Sequence, residues 1–371
     1  MAGRAGDAEG TAAAPRRPGD APDPRGRSKP TINDVAERAG VSKGTVSKYL
    51  NVRSGYAVSA ASRSKIEDAI RELNYRPSAI ARSLTRGATL NIGLVIADIK
   101  NPFFPDLVAS VQEVLEERGY KVLLGSSGRD TVREVDIIHS MTEHRVDGLM
   151  LASVQGGVDE LRFLERMGVP CVLASRDLPE LIWDTVVVDN VRGAQLAVKH
   201  LRDLGHTRIG YVGSDPSVKP FADRLQGFEA ATADLPETAI VLEGGMMEDG
   251  RRGTHELLSR SPRPTALHYA NDQMALGGFV ACEELALRVP WDVSIVGYDN
   301  ISAGSLPGIG LTTVDSAAAS VGAKAAAMLF ERIGGLTNED QPPRLAHEPT
   351  RLILRSSTAP VQEEVAGPGR S

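Results

Sequence analysis

A chain of 371 residues, 42% hydrophobic and 24% charged, is too long for one ordinary core and has the composition of a soluble globular protein, so two or three compact units are expected. No apolar run approaches the roughly 18 residues of a membrane span, and the N-terminus lacks the apolar stretch of a secretory signal, so neither a membrane nor export is expected. The net charge of −6 argues against a nucleic-acid partner only until it is divided: residues 28–90 carry +6, residues 1–27 carry +1, and the remaining 281 carry −13. A small basic module on a large acidic body is the electrostatic footprint of a chain that touches phosphates with one part only. The two cysteines, Cys171 and Cys282, lie far apart, and the seven histidines form no ligand spacing. Neither a disulfide framework, a zinc site nor a cofactor is expected, in keeping with a reducing cytoplasm.

Residues 1–28 are rich in Pro, Gly and charge and are expected to be a disordered tail. Residues 29–76 read as three short helices. Thr31 and Asp34 form an N-cap with an acid at the third helical position. Ile32, Val35, Ala36 and Ala39 follow the spacing of one buried helical face, and Gly40 supplies the left-handed turn that ends it. Ser42 caps a second helix with Val46, Tyr49 and Leu50 inward and Lys43, Gly44, Ser47 and Lys48 outward. Ser59 caps a third, with Ile66, Ile70 and Leu73 inside. Two helices joined by a tight glycine turn, the second slim and basic outside, are a helix-turn-helix arrangement suited to a major groove. Lys43 and Lys48 can reach base acceptors or phosphates, while Ser42, Thr45 and Ser47 suit phosphate hydrogen bonds.

Residues 77–90 are expected to be a hinge helix and linker. Pro77 to Leu84 is too short for a helix that persists alone, and an apolar residue on it could wedge between minor-groove base steps. From Asn91 the texture changes. Short Val/Ile/Leu-rich runs (Ile92–Ala97, Val122–Leu124, Gly148–Ala152, Cys171–Ala174, Val186–Val188, Ile209–Val212, Ala266–Tyr269, Ser294–Tyr298) alternate with helical patterns at Leu107–Arg118, Val132–Glu143, Val191–Leu204 and Leu276–Leu287. This alternation predicts buried parallel sheets flanked by helices. Roughly ten strands over 270 residues exceed one typical sheet, so residues 91–357 are expected to form a two-lobed α/β domain, with ligands at the carboxyl ends of the strands. Residues 358–371 are expected to be a flexible tail, without the leucine heptads of a tetramerising coiled coil.

The runs Thr31-Ile-Asn-Asp-Val-Ala-Glu-Arg-Ala-Gly-Val-Ser-Lys-Gly-Thr-Val-Ser-Lys48 and Leu73-Asn-Tyr-Arg-Pro-Ser-Ala-Ile-Ala-Arg-Ser-Leu84 closely resemble the LacI/GalR family of bacterial repressors. The resemblance continues through Asn101-Pro-Phe-Phe, Val188-Asp-Asn, Arg224-Leu-Gln-Gly-Phe, Ala270-Asn-Asp-Gln-Met and Val296-Gly-Tyr-Asp, from about residue 30 to about 357. It implies a small all-α helix-turn-helix headpiece joined to a periplasmic-binding-protein-like domain, in a transcriptional regulator of the cytoplasm and nucleoid that acts most often as a repressor. It implies that Lys43, Gly44 and Lys48 read operator bases, with Thr31, Ser42, Thr45 and Ser47 beside them. It also implies that Leu84 intercalates from the hinge with Ala81 next to it in the minor groove. Val52 to Ala57 depart from the pattern as a loop about two residues longer than in the best-known members.

For the effector, the resemblance implies a site between the lobes. Phe103 and Phe104 would form an aromatic wall, and Arg224, Asn271 and Asp299 would hydrogen-bond the ligand. Ser175 stands where several sugar-binding members carry an aspartate, and Arg176 beside it could take over part of that role. The implied partners are a near-palindromic double-stranded operator, a second copy of the chain, and a small molecule, with a sugar favoured over a purine. A transport-binding protein of the same two-lobed fold is the alternative, against which the missing signal and the basic headpiece both count. An enzyme is not expected, because no GxSxG, Walker A loop or strand-following GxGxxG occurs.

Overall fold

The computed structural model describes residues 30–50, 58–76, 87–153, 158–178, 182–334 and 341–362. The chain divides into two compact units, residues 1–87 and 88–371.

In the first unit, helices α1 (Ile32–Ala39), α2 (Lys43–Leu50) and α3 (Ala60–Glu72) start and stop where local chemistry dictates. Thr31 and Asp34 form a reciprocal capping box, and Gly40 closes α1 at φ +63°, where a Cβ would be strained. Ser42 Oγ accepts from the Thr45 amide at 3.1 Å to open α2, and Ser59 Oγ accepts from the Ser62 amide to open α3. Val35, Ala36, Ala39, Val46, Ile66 and Ala69 close the core, with Ile32, Tyr49, Leu50, Ile70 and Leu73 packed around it. Tyr49 donates to Glu67 at 2.9 Å and Arg38 pairs with Glu72, fastening α3 to α2 and α1.

The second unit contains two sheets of the same design. The first has the order β11-β5-β4-β3-β1-β2 and is parallel throughout. Its strands are β1 (Asn91–Ile96), β2 (Lys121–Ser126), β3 (Gly148–Ala152), β4 (Cys171–Ala174), β5 (Asp184–Val188) and β11 (Leu345–Glu348). The second has the order β12-β10-β9-β8-β6-β7, parallel except for the antiparallel edge strand β12. Its strands are β6 (Arg208–Gly213), β7 (Glu237–Leu242), β8 (Ala266–Tyr269), β9 (Ser294–Asp299), β10 (Thr312–Asp315) and β12 (Arg351–Ile353). The strands of both sheets' interiors are buried along their lengths, which is why they read as continuous apolar runs rather than alternating ones.

Helices cover both faces. In the first lobe α4 (Phe103–Glu116) and α11 (Ala318–Ile333) press on one side, α5 (Thr131–Glu143) and α6 (Val158–Met167) on the other. In the second, α7 (Asn190–Asp203), α8 (Lys219–Thr232), α9 (Met247–Leu258) and α10 (Asp272–Glu284) enclose a core centred on Tyr211, Phe228, Tyr269 and Tyr298. The chain passes between the lobes at 188–190, 315–318 and 348–351, so each lobe is assembled from sequence-distant pieces. Asp184 fastens the late segment to the first lobe: its carboxylate receives Arg332 at 2.7 Å and Arg344 at 2.6 Å, and these bonds hold it down to about 2 against the opposing effect of burial.

Several boundaries differ from the sequence expectation, the helix expected at Leu276–Leu287 running over Asp272–Glu284 among them. Helix α4 begins four residues before Leu107, because Asn101 Oδ1 accepts from the Phe103 amide and Pro105 lies in the first turn, where its missing N–H costs nothing. Thr89 and Leu90, assigned to the linker, bond Asp147 through their amides at 2.8 Å and belong to the first lobe. Residues 358–362, assigned to a flexible tail, are anchored: the Ala359 amide donates to Ser294, its carbonyl faces His206, and the Val361 amide donates to Leu204. The expectations for 1–28 and for the 52–57 loop lie outside the described residues, as does most of the hinge. No helix among the described residues is long and apolar enough to cross a membrane, and no cluster of three or more potential metal ligands occurs among them.

Candidate functional site

Two surfaces carry chemistry. On the headpiece, α2 exposes Lys43, Gly44 and Lys48, with Thr45 and Ser47 half-buried at their side. Ser42 and Thr45 share a hydroxyl–hydroxyl bond of 2.9 Å at the helix start, and the exposed Thr31 hydroxyl is bonded to Asp34. Gly44 is notable because nothing in the fold demands it. A Cβ there would meet only Ser42 Oγ at 3.6 Å, while glycine in a helix costs about 1 kcal/mol against alanine. A residue that weakens its helix without a packing reason leaves the outer surface as its explanation. Ala81 and Leu84 lie outside the described residues.

The second surface is a cavity of about 290 Å³ within the two-lobed unit. It is built by strand ends: Ala97, Ala152, Ser175, Val188, Ser214 and Asp299 each terminate or directly follow a strand, the usual position of ligands in parallel α/β sheets. Of the residues singled out from sequence, Phe103, Phe104, Ser175, Arg176, Arg224 and Asp299 line it. The two phenylalanines meet edge to face at 5.1 Å between ring centroids, fixed at the start of α4. Ser175 adopts φ +59° where β4 ends.

Asn271 does not line the cavity. Its Oδ1 accepts from the Met274 amide at 2.7 Å, capping α10, and its Nδ2 donates to the Gly245 carbonyl at 3.0 Å. It positions the loop before α9 rather than reaching the cavity itself.

Arg224 is the centre of the polar wall. Its Nε donates to Asn190 Oδ1 at 2.9 Å, one terminal nitrogen donates to the Ala270 carbonyl, and the other lies 3.3 Å from Asp299. The guanidinium also sits over the Tyr298 ring, 3.7 Å from its centroid. Asp299 is held at φ +119°, a backbone strain of the kind that concentrates at binding sites. Burial pushes its carboxyl up to about 6, with Arg224 pulling the other way. Behind it, Asp272 accepts from Thr313 at 2.5 Å and from the Ile301 amide at 2.9 Å; burial, then the charge of Asp299, raises it to about 7.

Both folded-state values lie above the unfolded ones, so the native state holds protons more tightly. That stabilisation is complete in acid and is lost as pH rises through about 6 to 7. Between pH 5 and pH 8 the second lobe is therefore expected to lose roughly 2–4 kcal/mol. Asp272→Asn is expected to flatten that decline. Urea midpoints at four pH values check it, and an unchanged slope would remove Asp272 as the cause.

Sequence reasoning missed Arg129, Asn190 and Asp215 as components of this cavity. Arg129 and Asp215 each follow shortly after a strand of the parallel sheets, which is the signal that could have found them.

Residues 31–78 match the bacterial regulatory proteins of the lacI family, and residues 198–358 match the periplasmic-binding-protein-like domain. The chain is 34% identical over 344 residues to the HTH-type transcriptional regulator DegA of Bacillus subtilis, covering 90% of this chain and 99% of that protein. Among solved structures it is similar to the Lac repressor dimer bound to operator and the anti-inducer ONPF: TM-score 0.78, 28% identity, 90% of this chain and all of that one. It is also similar to a regulator from Enterococcus faecium with bound ribose: TM-score 0.68, 28% identity, 73% of this chain and all of that one.

Proposed function

The chain belongs to the lacI family of bacterial regulatory proteins and is a DNA-binding transcriptional regulator, and from that premise we propose that it is a repressor whose operator affinity is set by a sugar or sugar derivative in the cavity beside Arg224. The observation that carries this reading is the convergence of strand ends from both sheets on one small cavity that sets an aromatic wall against charged side chains. Its volume suits a monosaccharide-sized ligand, near the lower end for small-molecule sites. A ligand that touches both lobes binds one arrangement of them better than another, and only such a difference can move the equilibrium.

On the DNA side, Lys43 and Lys48 would read bases or phosphates, and Thr31, Ser42, Thr45 and Ser47 would position the headpiece on the backbone. Leu84 would wedge into the minor groove beside Ala81. Gly44 would let the α2 backbone approach a base edge. Gly44→Ala is accordingly expected to stabilise the headpiece by about 0.5–1 kcal/mol while weakening operator binding. A thermal melt paired with fluorescence anisotropy on one labelled duplex separates the two effects, and parallel gains in both would sink the contact role.

We further infer a homodimer acting in the cytoplasm on two half-sites about one helical turn apart. Edge strands β2 and β7 hold the same place in their sheets, and both leave large apolar side chains exposed: Leu123 and Leu124 with nearby Ile99 in the first lobe, Leu242 with Met247 in the second. Matching apolar edges are what a self-complementary interface requires. Selection of duplexes by the full chain from a random library tests the whole reading. A near-palindromic site bound with a steep salt dependence is expected. A non-repeating site, or affinity flat in salt, would overturn it.

A further inference from the structure

The cavity holds more positive charge than its own carboxylates answer. Three guanidinium groups reach it: Arg129 after β2, Arg176 after β4 and Arg224 on α8. Arg224 is matched by Asp299. Arg176 is not: its Nε is shut off from solvent without a hydrogen-bond partner. The carboxylates whose charge reaches Arg176 are Glu134 and Asp299. Glu134 already accepts from Ser153, and Asp299 already faces Arg224. Asp215, the other acid of the wall, is exposed and accepts from the Ser217 amide. Burial, with the charges of Arg224 and Arg129, draws Arg176 down to about 10, which leaves it a cation at neutral pH. A guanidinium that is half-buried, with its Nε closed off, and crowded by two others costs stability. Planar, permanently charged and rich in donors, such a group suits a carboxylate or phosphate.

We propose that the ligand of this cavity is a small polyol bearing an acidic group, a carboxylate or a phosphate, whose anionic oxygens are held by Arg129 and Arg176 while Arg224 and Asp299 take its hydroxyls. This rests on the effector reading of the cavity and narrows it from sugars in general to their acids and phosphate esters. The position also favours regulation. Arg129 comes from the first lobe, yet its guanidinium lies against Gly245 of the second, where a Cβ would come within 2.7 Å of it. An anion clamped there sits where the two lobes touch.

The test measures binding of hexuronates, hexose phosphates, inorganic phosphate and the neutral parent sugars to the full chain by thermal shift and titration calorimetry. The unmodified chain, Arg176→Gln and Arg129→Gln are compared. An acid or a phosphate ester is expected to raise the melting temperature where its neutral parent does not, and the uronate and ester arms tell which anion is used. Each substitution is expected to lower that affinity about 10- to 100-fold. Arg176→Gln without ligand is expected to melt no lower than the unmodified chain, since the lost group is uncompensated, so lost binding would not reflect lost folding. Neutral sugars binding as tightly as their acids, unaffected by Arg176→Gln, would overturn the anion while leaving the effector cavity in place. Acids that bind equally well to both variants would overturn the arginine clamp. No stabilisation by any acid or ester would overturn the proposal outright.

Discussion

Arg224→Met is expected to lower the stability of the second lobe by about 3–5 kcal/mol and to abolish the response to effector. The magnitude follows from what the change leaves behind. The guanidinium is buried, serves Asn190, the Ala270 carbonyl and Asp299 at once, and stacks over the Tyr298 ring. Removing one partner of a buried pair strands the other charge in a poorly solvated place, which costs more than the pair itself contributes. Asp299 can escape only by taking a proton, and its carboxyl is already raised to about 6. The deficit is therefore expected to be larger at pH 8 than at pH 5. The double variant Arg224→Met with Asp299→Asn removes both charges and is expected to recover most of the stability but none of the ligand response. Denaturant titrations of the four forms at both pH values measure this. A double variant no more stable than Arg224→Met would show that the ion pair is not the source of the loss.

Gly277→Ala is expected to cost about 3 kcal/mol, the upper end for an overpacked site, and, if the chain pairs as proposed, to weaken its self-association. A Cβ at Gly277 would lie 1.9 Å from the Met247 carbonyl oxygen and 2.7 Å from the Arg251 amide nitrogen, and one at Gly250 would lie 2.0 Å from the Met274 carbonyl oxygen. These neighbours are backbone, so no side chain can swing aside. Helices α9 and α10 must move apart, and their outer residues Met247 and Val280, both exposed in the single chain, shift with them. Sedimentation beside thermal unfolding separates the two consequences. A substitution that leaves both the melting temperature and the association constant unchanged would show that the helices can part without cost.

The headpiece was legible in the sequence almost residue by residue. Thr31, Asp34, Gly40, Ser42 and Ser59 act through neighbours within a few positions, so their capping roles follow from local spacing alone. The apolar face of α1 is equally local. Most interior strands could be read for a related reason, since burial on both sides makes them Val/Ile/Leu-rich runs; β10, which buries Thr312 and Thr313 instead, was not found. The short edge strands β11 and β12 carry no such signal, because half of each faces outward and its pairing partner lies far away along the chain.

The effector site divides along the same line. Phe103, Phe104, Arg224 and Asp299 were found as members of recognisable runs, and they meet at the cavity. Asn271 lay in such a run too, yet its amide is committed to Met274 and Gly245. Residue type and position showed that it could bond something, and the folded loop decided what. Arg129 was missed because its place beside the cavity depends on β2 pairing with β1 and on Gly245 arriving from the other lobe.

By itself, then, the sequence determined the chain's class, its basic reading head, the two-sheet plan and the family's effector-site pattern, since each is written in periodicity, caps, charge distribution or contiguous runs. Only the tertiary structure decided which side chains share the cavity, which are spent on capping, and which guanidinium nitrogen is closed off without a partner. Those properties depend on the burial and distance of groups that come from different strands and helices of the chain, and neither quantity exists until the strands have ordered and the lobes have formed.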